Sequence, residues 1–166
     1  MSEAEIPLTD EDLYGSESGV AESAEEFAVF RLGREWYGVC LACVRQVVVI
    51  SKIAFVPGAS KWIVGMINVR GDVLSVTDPR RLLGLQAAPA EAGVCLIVEE
   101  RAVATGLLVE GMPEIAAVER SLLQAPPASA GTVEAAEFLD KSFLWNGHLV
   151  GVLRIDRLLR PEEMAS

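Results

Sequence analysis

From Phe27 onward the apolar residues fall in short runs, broken every few positions by glycine, proline or charge. FAVFRL (27–32) ends at Gly33, a turn signal, and EWYGVC (35–40) follows after a short loop, so the spacing predicts a hairpin. CVRQVVVI (43–50) is rich in β-branched residues. A period of two puts Val44, Gln46, Val48 and Ile50 on one side of it, and Cys43, Arg45, Val47 and Val49 on the other. WIVGMINV (62–69) and VLSVT (73–77) flank Arg70-Gly71-Asp72, where Gly-Asp fits a tight turn. DPRRLLGL (78–85) predicts one helical turn, capped by Asp78 with Pro79 at its first position.

The second half repeats the style. VCLIV (94–98) is a continuous apolar run, followed by a turn at Glu99-Glu100-Arg101 and by VATGLLV (103–109). EIAAV (114–118) reads as a further, separate strand, SLLQAPPASAG (121–131) as a Pro-rich loop, and EAAEFL (134–139) as a helical turn. SFLW (142–145), Asn146-Gly147 and HLVGVL (148–153) form the strongest hairpin signal in the chain. IDRLLRPEEMA (155–165) reads as a short amphipathic tail, helical at first and interrupted by Pro161. About ten short strands without a long helix predict an all-β sandwich or barrel. Several runs look buried on both faces. Two small closed barrels packed against each other account for this, because closure removes edges and the shared interface buries the remaining apolar faces. QAAPAEAG (86–93) is the expected boundary between the lobes, and no repeat between the halves is strong enough to establish duplication.

Composition changes this picture mainly at the N-terminus. The net charge of −10 is uneven: residues 1–26 carry nine acids and no Lys or Arg, whereas the other 140 residues carry fifteen acids against fourteen bases. Residues 1–26 are therefore expected to be a disordered acidic leader, residues 27–160 the folded domain, and 161–166 a tail. With 51% hydrophobic residues a sizeable core is available. No apolar run is long enough to span a bilayer, and the N-terminus lacks the pattern of a secretory signal, so a cytoplasmic protein without direct membrane insertion is expected. No basic stripe with interleaved aromatics points to nucleic acid.

The chemical inventory is thin. The single histidine, His148, follows an Asn-Gly turn and has no nominated nucleophile. Cys40-Leu41-Ala42-Cys43 is formally C-x-x-C, but it lies in β-prone sequence, and with Cys95 and His148 it makes no paired zinc knuckles. A small β-barrel redox or metal protein built on Cys40, Cys43 and Cys95 is the competing reading, and buried structural cysteines are the default. Glu99 and Glu100 are neighbours on a strand and face opposite ways, so they are poorly placed to share a proton. The Arg-Gly-Asp triplet has no extracellular context. The residues pattern suggests a binding or scaffolding module that is not an enzyme and has no cofactor. Trp62, Arg70 and Val44, near turns, draw the most attention.

These residues resemble the CheW-like domain of bacterial chemosensory systems. FAVFRLG–EWYGV (27–39) is similar to the family's opening F-x-V-F-x-L-G–x-x-Y-G-I, and Val44-Arg45-Gln46-Val47 to its V-x-E-I/V. Most specific is residues 57–78, PGASKWIVGMINVRGDVLSVTD, against P-x-x-x-x-x-x-G-x-x-N-x-R-G-x-x-x-P-v-x-D. The resemblance covers about residues 27–160. It implies two five-stranded SH3-like barrels side by side, and a non-enzymatic adaptor between the cytoplasmic tip of a chemoreceptor and the regulatory domain of a CheA-type histidine kinase, at membrane-associated arrays. It also implies a receptor-facing groove between the lobes involving Val44 and Gln46, with Gly65, Asn68 and Arg70 nearby. Gln46 stands where the family often has Glu, Ser75 replaces a usual Pro, Pro79 a usual Leu, and Arg154 sits where an acid or amide is common. Trp62 and the Asn-Val-Arg-Gly wording resemble the pilus-linked branch more than the flagellar one.

Overall fold

The computed structural model describes residues 23–87, 93–126 and 133–160. Among the described residues nine strands carry the fold: β1 Ala24–Leu32, β2 Glu35–Cys40, β3 Val44–Ile50, β4 Ile63–Val69, β5 Asp72–Thr77, β6 Gly93–Glu100, β7 Val103–Glu119, β8 Leu139–Trp145 and β9 His148–Leu153. Three short helices follow strands or loops: α1 Pro79–Leu83, α2 Val133–Ala136 and α3 Ile155–Leu158. Single 3₁₀ turns at Leu41–Cys43 and Arg120–Leu122 link β2 to β3 and end β7.

The strands form two five-membered groups that share β7. One lobe runs β7-β1-β2-β9-β8 and the other β3-β6-β7-β5-β4. Strand β7 is 17 residues long and uses Val103–Val109 in the second lobe and Glu110–Glu119 in the first. The two orders are the same circuit. In each, one pair is parallel (β2 with β9, β5 with β7), and the other pairs are antiparallel. Gly38 opposite Val152 matches Gly106 opposite Val76, and the bridge Gln124–Ser142 matches Ala54–Met66. The duplication that the residues themselves do not display is thus present in the topology.

Three apolar clusters explain the runs that looked buried twice. Phe27, Val29, Phe143, Val150 and Val152 fill the first lobe, with the Phe27 and Phe143 rings stacked at 5.0 Å. Ile67, Val76, Cys95, Ile97 and Leu108 fill the second. Between the lobes lies the largest cluster, in which Ala28, Phe30 and Leu32 of β1 meet Leu96 and Val98 of β6 and Leu107 and Val109 of β7. Strands β1 and β6 therefore spend alternate side chains on a lobe core and on the interlobe core, which removes the polar face.

Several expectations need correction. The chain does not divide at 86–93: it passes from the first lobe to the second at Leu41–Cys43 and returns within β7, because the first hairpin pairs with the last strands. Part of 86–93 lies outside the described residues, as do residues 1–22 of the leader, 127–132 of the Pro-rich loop and the tail from 161. The acids Glu25 and Glu26 belong to β1, where they pair with Val118 and Ala117, so the strand begins three residues earlier than the composition break. The two strands expected at 103–109 and 114–118 are one, bent where Gly111 takes φ +76°. The turn before β7 is Arg101-Ala102, with Glu99 and Glu100 inside β6.

Candidate functional site

Strands β3 and β4 are the two outer members of the second lobe. β3 pairs along β6, β4 pairs along β5, and among the described residues the seam is bridged only at Ala54–Met66, where the segment that follows β3 meets β4. The reciprocal bonds there are Ala54 N–H to Met66 O at 3.0 Å and Met66 N–H to Ala54 O at 2.8 Å. Beyond that point the seam opens into a groove of about 440 Å³, lined by residues 46–52 on one side and 67–70 on the other.

Three of the five expected site residues meet there. Gln46 is half-buried just after a register shift that sets two β3 residues, Val44 and Gln46, against the adjacent pair Val98 and Ile97. Asn68 is exposed, and its Oδ1 accepts a hydrogen bond from the Gly71 amide at 2.9 Å. That bond fixes the β4–β5 turn, whose two central residues are Arg70 and Gly71 at φ +53° and +93°, with Val69 opposite Asp72. The turn is thus Arg-Gly, one residue earlier than Gly-Asp. Both angles are left-handed, the twist that suits a two-residue hairpin, so a non-glycine residue is held in a costly backbone region at the groove's rim. Among the described residues the Arg70 guanidinium has no hydrogen-bonded or ionic partner, and Lys52, on the other side of the groove, has none either.

The other two expected residues sit elsewhere. Val44 packs against the interlobe core. Gly65 is buried, and the backbone that approaches it closely is this chain's own: a Cβ would collide with the Ala54 carbonyl and come within 2.7 Å of Ile53 Cγ2. The groove runs within one lobe, not between the two. Residues not singled out from the sequence complete it. Val49 is 76% exposed and Val47 is also open, so the outward face of β3 is apolar rather than polar. A period of two separates the faces of a strand but does not say which one meets solvent when both carry valines.

A second cluster was missed as well. Asp78 caps α1 as expected, accepting from the Arg80 amide at 3.1 Å. Its fully buried carboxylate also takes two guanidinium bonds from Arg80, at 2.9 Å each. Arg80 reaches on to Glu110 at 3.1 Å, and Glu110 accepts from the Gly33 amide at 2.9 Å. The chain of contacts ties the helix of one lobe to the β1–β2 turn of the other. The bond from Asp78, foremost, holds the Arg80 pKa above its ordinary value. Asp-x-Arg at a helix start hinted at the pair, but nothing in the sequence points to Glu110.

The cysteines form no single site. Cys95 lies in the second lobe's core, where burial pushes its thiol up to about 12. Cys40 precedes the 3₁₀ turn and Cys43 ends it, and both line a separate groove of about 290 Å³. Burial, then the neighbouring Cys40 and Glu100, raise the Cys43 pKa, the direction opposite to an activated thiol. Among the described residues no three His, Cys, Asp or Glu side chains converge as a metal-ligand set. His148 stacks at 5.2 Å on Trp36 at the rim of the first lobe. No helix among the described residues is long and apolar enough to cross a membrane.

Comparison with known proteins agrees with this architecture. The family model described as CheW-like domain matches residues 26–163, across both lobes. The Chemotaxis protein CheW of Rhizobium meliloti (strain 1021) is 26% identical over 145 residues, covering 87% of this chain and 93% of that protein. The Chemotaxis protein CheW of Treponema pallidum (strain Nichols) is 24% identical over 154 residues, 87% and 89% of the two chains. Among solved structures, the scaffolding protein TtCheW from Thermoanaerobacter tengcongensis superposes with a TM-score of 0.71 at 24% identity, covering 82% of this chain and 92% of that one, and so shares the paired SH3-like barrels. A family model spanning nearly all of the described residues, on a fold that the pairing registers establish independently, leaves one assignment: the chain belongs to the CheW-like domain family.

Proposed function

We propose that this protein is a non-enzymatic scaffold of a chemotaxis or twitching pathway. It couples the cytoplasmic tip of a methyl-accepting chemoreceptor to the regulatory domain of a CheA-type histidine kinase, at arrays on the cytoplasmic face of the membrane. The observation that carries this reading is the match of the family model across both lobes, with relatives named as chemotaxis proteins. The groove supports it in detail. A helical hairpin with an apolar stripe needs stiff apolar contact and a group that fixes its orientation. Val47 and Val49 lose little side-chain freedom on contact. Arg70, held at the rim without a carboxylate partner among the described residues, offers a planar fork of donors. Gln46 in place of the family's usual Glu leaves that fork available to a partner's carboxylate. Val44 and Gly65 support the site from below, by packing and by close strand approach.

The test is co-elution of the purified chain with a receptor signalling hairpin and with a histidine-kinase regulatory domain, each at about micromolar affinity, near −8 kcal/mol. Arg70→Glu is expected to weaken the receptor complex at least ten-fold while cooperative melting persists. Failure of the unsubstituted protein to bind either partner overturns the assignment.

A further inference from the structure

The groove between β3 and β4 has a second feature that partner binding leaves unused. It is a gap in a sheet, bounded by two strand edges that lack a ladder partner beyond Ala54–Met66 among the described residues. Such edges are templates for a further extended segment unless something covers them. The segment must match the groove in charge and length. Lys52 on one side of the groove and Arg70 on the other have no carboxylate partner among the described residues, whereas Arg45 of β3 is paired with Glu99 at 2.8 Å. The exposed faces of Val47 and Val49 add apolar surface beside them.

This chain carries a segment with the complementary chemistry. Residues 1–22, ahead of β1, hold seven acids and no base, and the densest stretch is Asp10-Glu11-Asp12, followed at once by Leu13 and Tyr14. Five extended residues span about 17 Å, within the length of β3 that lines the groove. Residues 15–22 join Tyr14 to Ser23, where the described chain begins, and these nine steps reach about 30 Å when extended, most of the diameter of a domain this size. We propose that Asp10–Tyr14 docks into the β3–β4 seam, with its carboxylates against Lys52 and Arg70 and Leu13 and Tyr14 on the exposed valines. The leader then acts as an internal competitor for the same groove that the proposed receptor contact uses. That consequence rests on the proposed function; the docking itself does not.

The experiment uses the full 166-residue chain. Backbone amide exchange is compared between the unsubstituted protein and D10N/E11Q/D12N, at low salt. Amides of residues 46–52 and 67–70 are expected to exchange at least five-fold faster in the variant, while those of Leu96 and Leu107 in the cores stay unchanged. K52E/R70E is expected to lose the same protection, and its combination with D10K/E11K/D12K to regain it. Equal seam exchange in the unsubstituted chain and the leader variant overturns the proposal. So does seam protection that rises with protein concentration, because a second copy then fills the gap. A receptor hairpin is added as a separate arm. If leader docking is seen and the hairpin binds parent and leader variant equally, docking stands and the receptor face lies elsewhere. If the leader variant binds the hairpin at least five-fold tighter, both readings hold.

Discussion

At the level of single residues, two glycines in β4–β5 do opposite jobs. Gly65 is needed because another backbone occupies the space a side chain would take; Gly71 is needed because of its φ of +93°, with open space around it. An added methyl at Gly65 must push apart the Ala54–Met66 bridge, which is backbone and cannot swing away. Gly65→Ala is therefore expected to cost about 3 kcal/mol, and Gly71→Ala about 1 kcal/mol. Denaturant unfolding of the two variants checks the order, and a reversed order sinks this reading of Gly65. Cys95 supplies a pH prediction. Its thiol is pushed up to about 12 by burial, so the folded protein keeps a proton that the unfolded chain releases near 9. Stability from this group is complete below about pH 9 and is lost as pH rises toward 12. Between pH 9 and 10.5 the loss is roughly 1.5–2 kcal/mol. Cys95→Ala is expected to flatten that part of the stability–pH profile, whatever it costs at neutral pH. Gly65 was legible in the sequence only as a motif glycine near an expected groove; the close approach of Ala54 was not, because only the closed sheet brings the two together.

At the level of elements, the strands were the legible part. Turn chemistry and apolar runs mark hairpins locally, so the Asn146-Gly147 turn lies where its dipeptide says, with φ of +50° and +81°. The Arg70-Gly71 turn was displaced by one residue because arginine is a poor candidate for a left-handed angle, and sequence reasoning prefers Gly-Asp. Its presence there has a measurable cost. Arg70→Asn places a residue that tolerates this region at the same turn position, and is expected to raise stability by roughly 0.5–1 kcal/mol. Thermal or denaturant unfolding reads the gain; a loss of stability would mean that the arginine stem packs in the folded state. The same variant removes the groove's cation, so a gain in stability together with weaker partner binding would separate the two roles cleanly. The long β7 was read as two strands for a related reason. Gly111 and Pro113 are breakers in any local window, and only the register with β1 on one side and β6 on the other joins the halves.

At the level of the whole molecule, the paired barrels were inferred from runs buried on both faces, and that inference needed no knowledge of which strands pair. The interleaving of the lobes was beyond it, because β2 pairs with β9, over a hundred residues away, and β1 with the far half of β7, and no local signal encodes those contacts. Interleaving has a thermodynamic consequence. Neither lobe is a continuous stretch of chain, both own part of β7, and the largest apolar cluster belongs to the boundary between them. Unfolding one lobe alone would expose the other lobe's share of this cluster, Ala28, Phe30 and Leu32 on the first or Leu96, Val98, Leu107 and Val109 on the second, several side chains at about 1.5–3 kcal/mol each, on the order of a small domain's entire stability. The two lobes are therefore expected to unfold in one transition. Trp62, just before β4 and packed on the interlobe cluster, reports on the second lobe's side of the boundary, and Trp36 with Trp145 on the first lobe's core, so single-reporter variants (Trp62→Phe, and Trp36→Phe with Trp145→Phe) should give coincident denaturant midpoints. The buried carboxylate of Asp78 makes the sharper test. Asp78→Asn leaves the Arg80 guanidinium without its main partner and loosens the contact through Glu110 to the Gly33 amide, at an expected cost of about 3 kcal/mol. If the lobes are one cooperative unit, that loss lowers both tryptophan midpoints equally. A shift confined to the Trp62 signal would show two domains that happen to touch, and the interlobe cluster would then be a contact surface rather than a core.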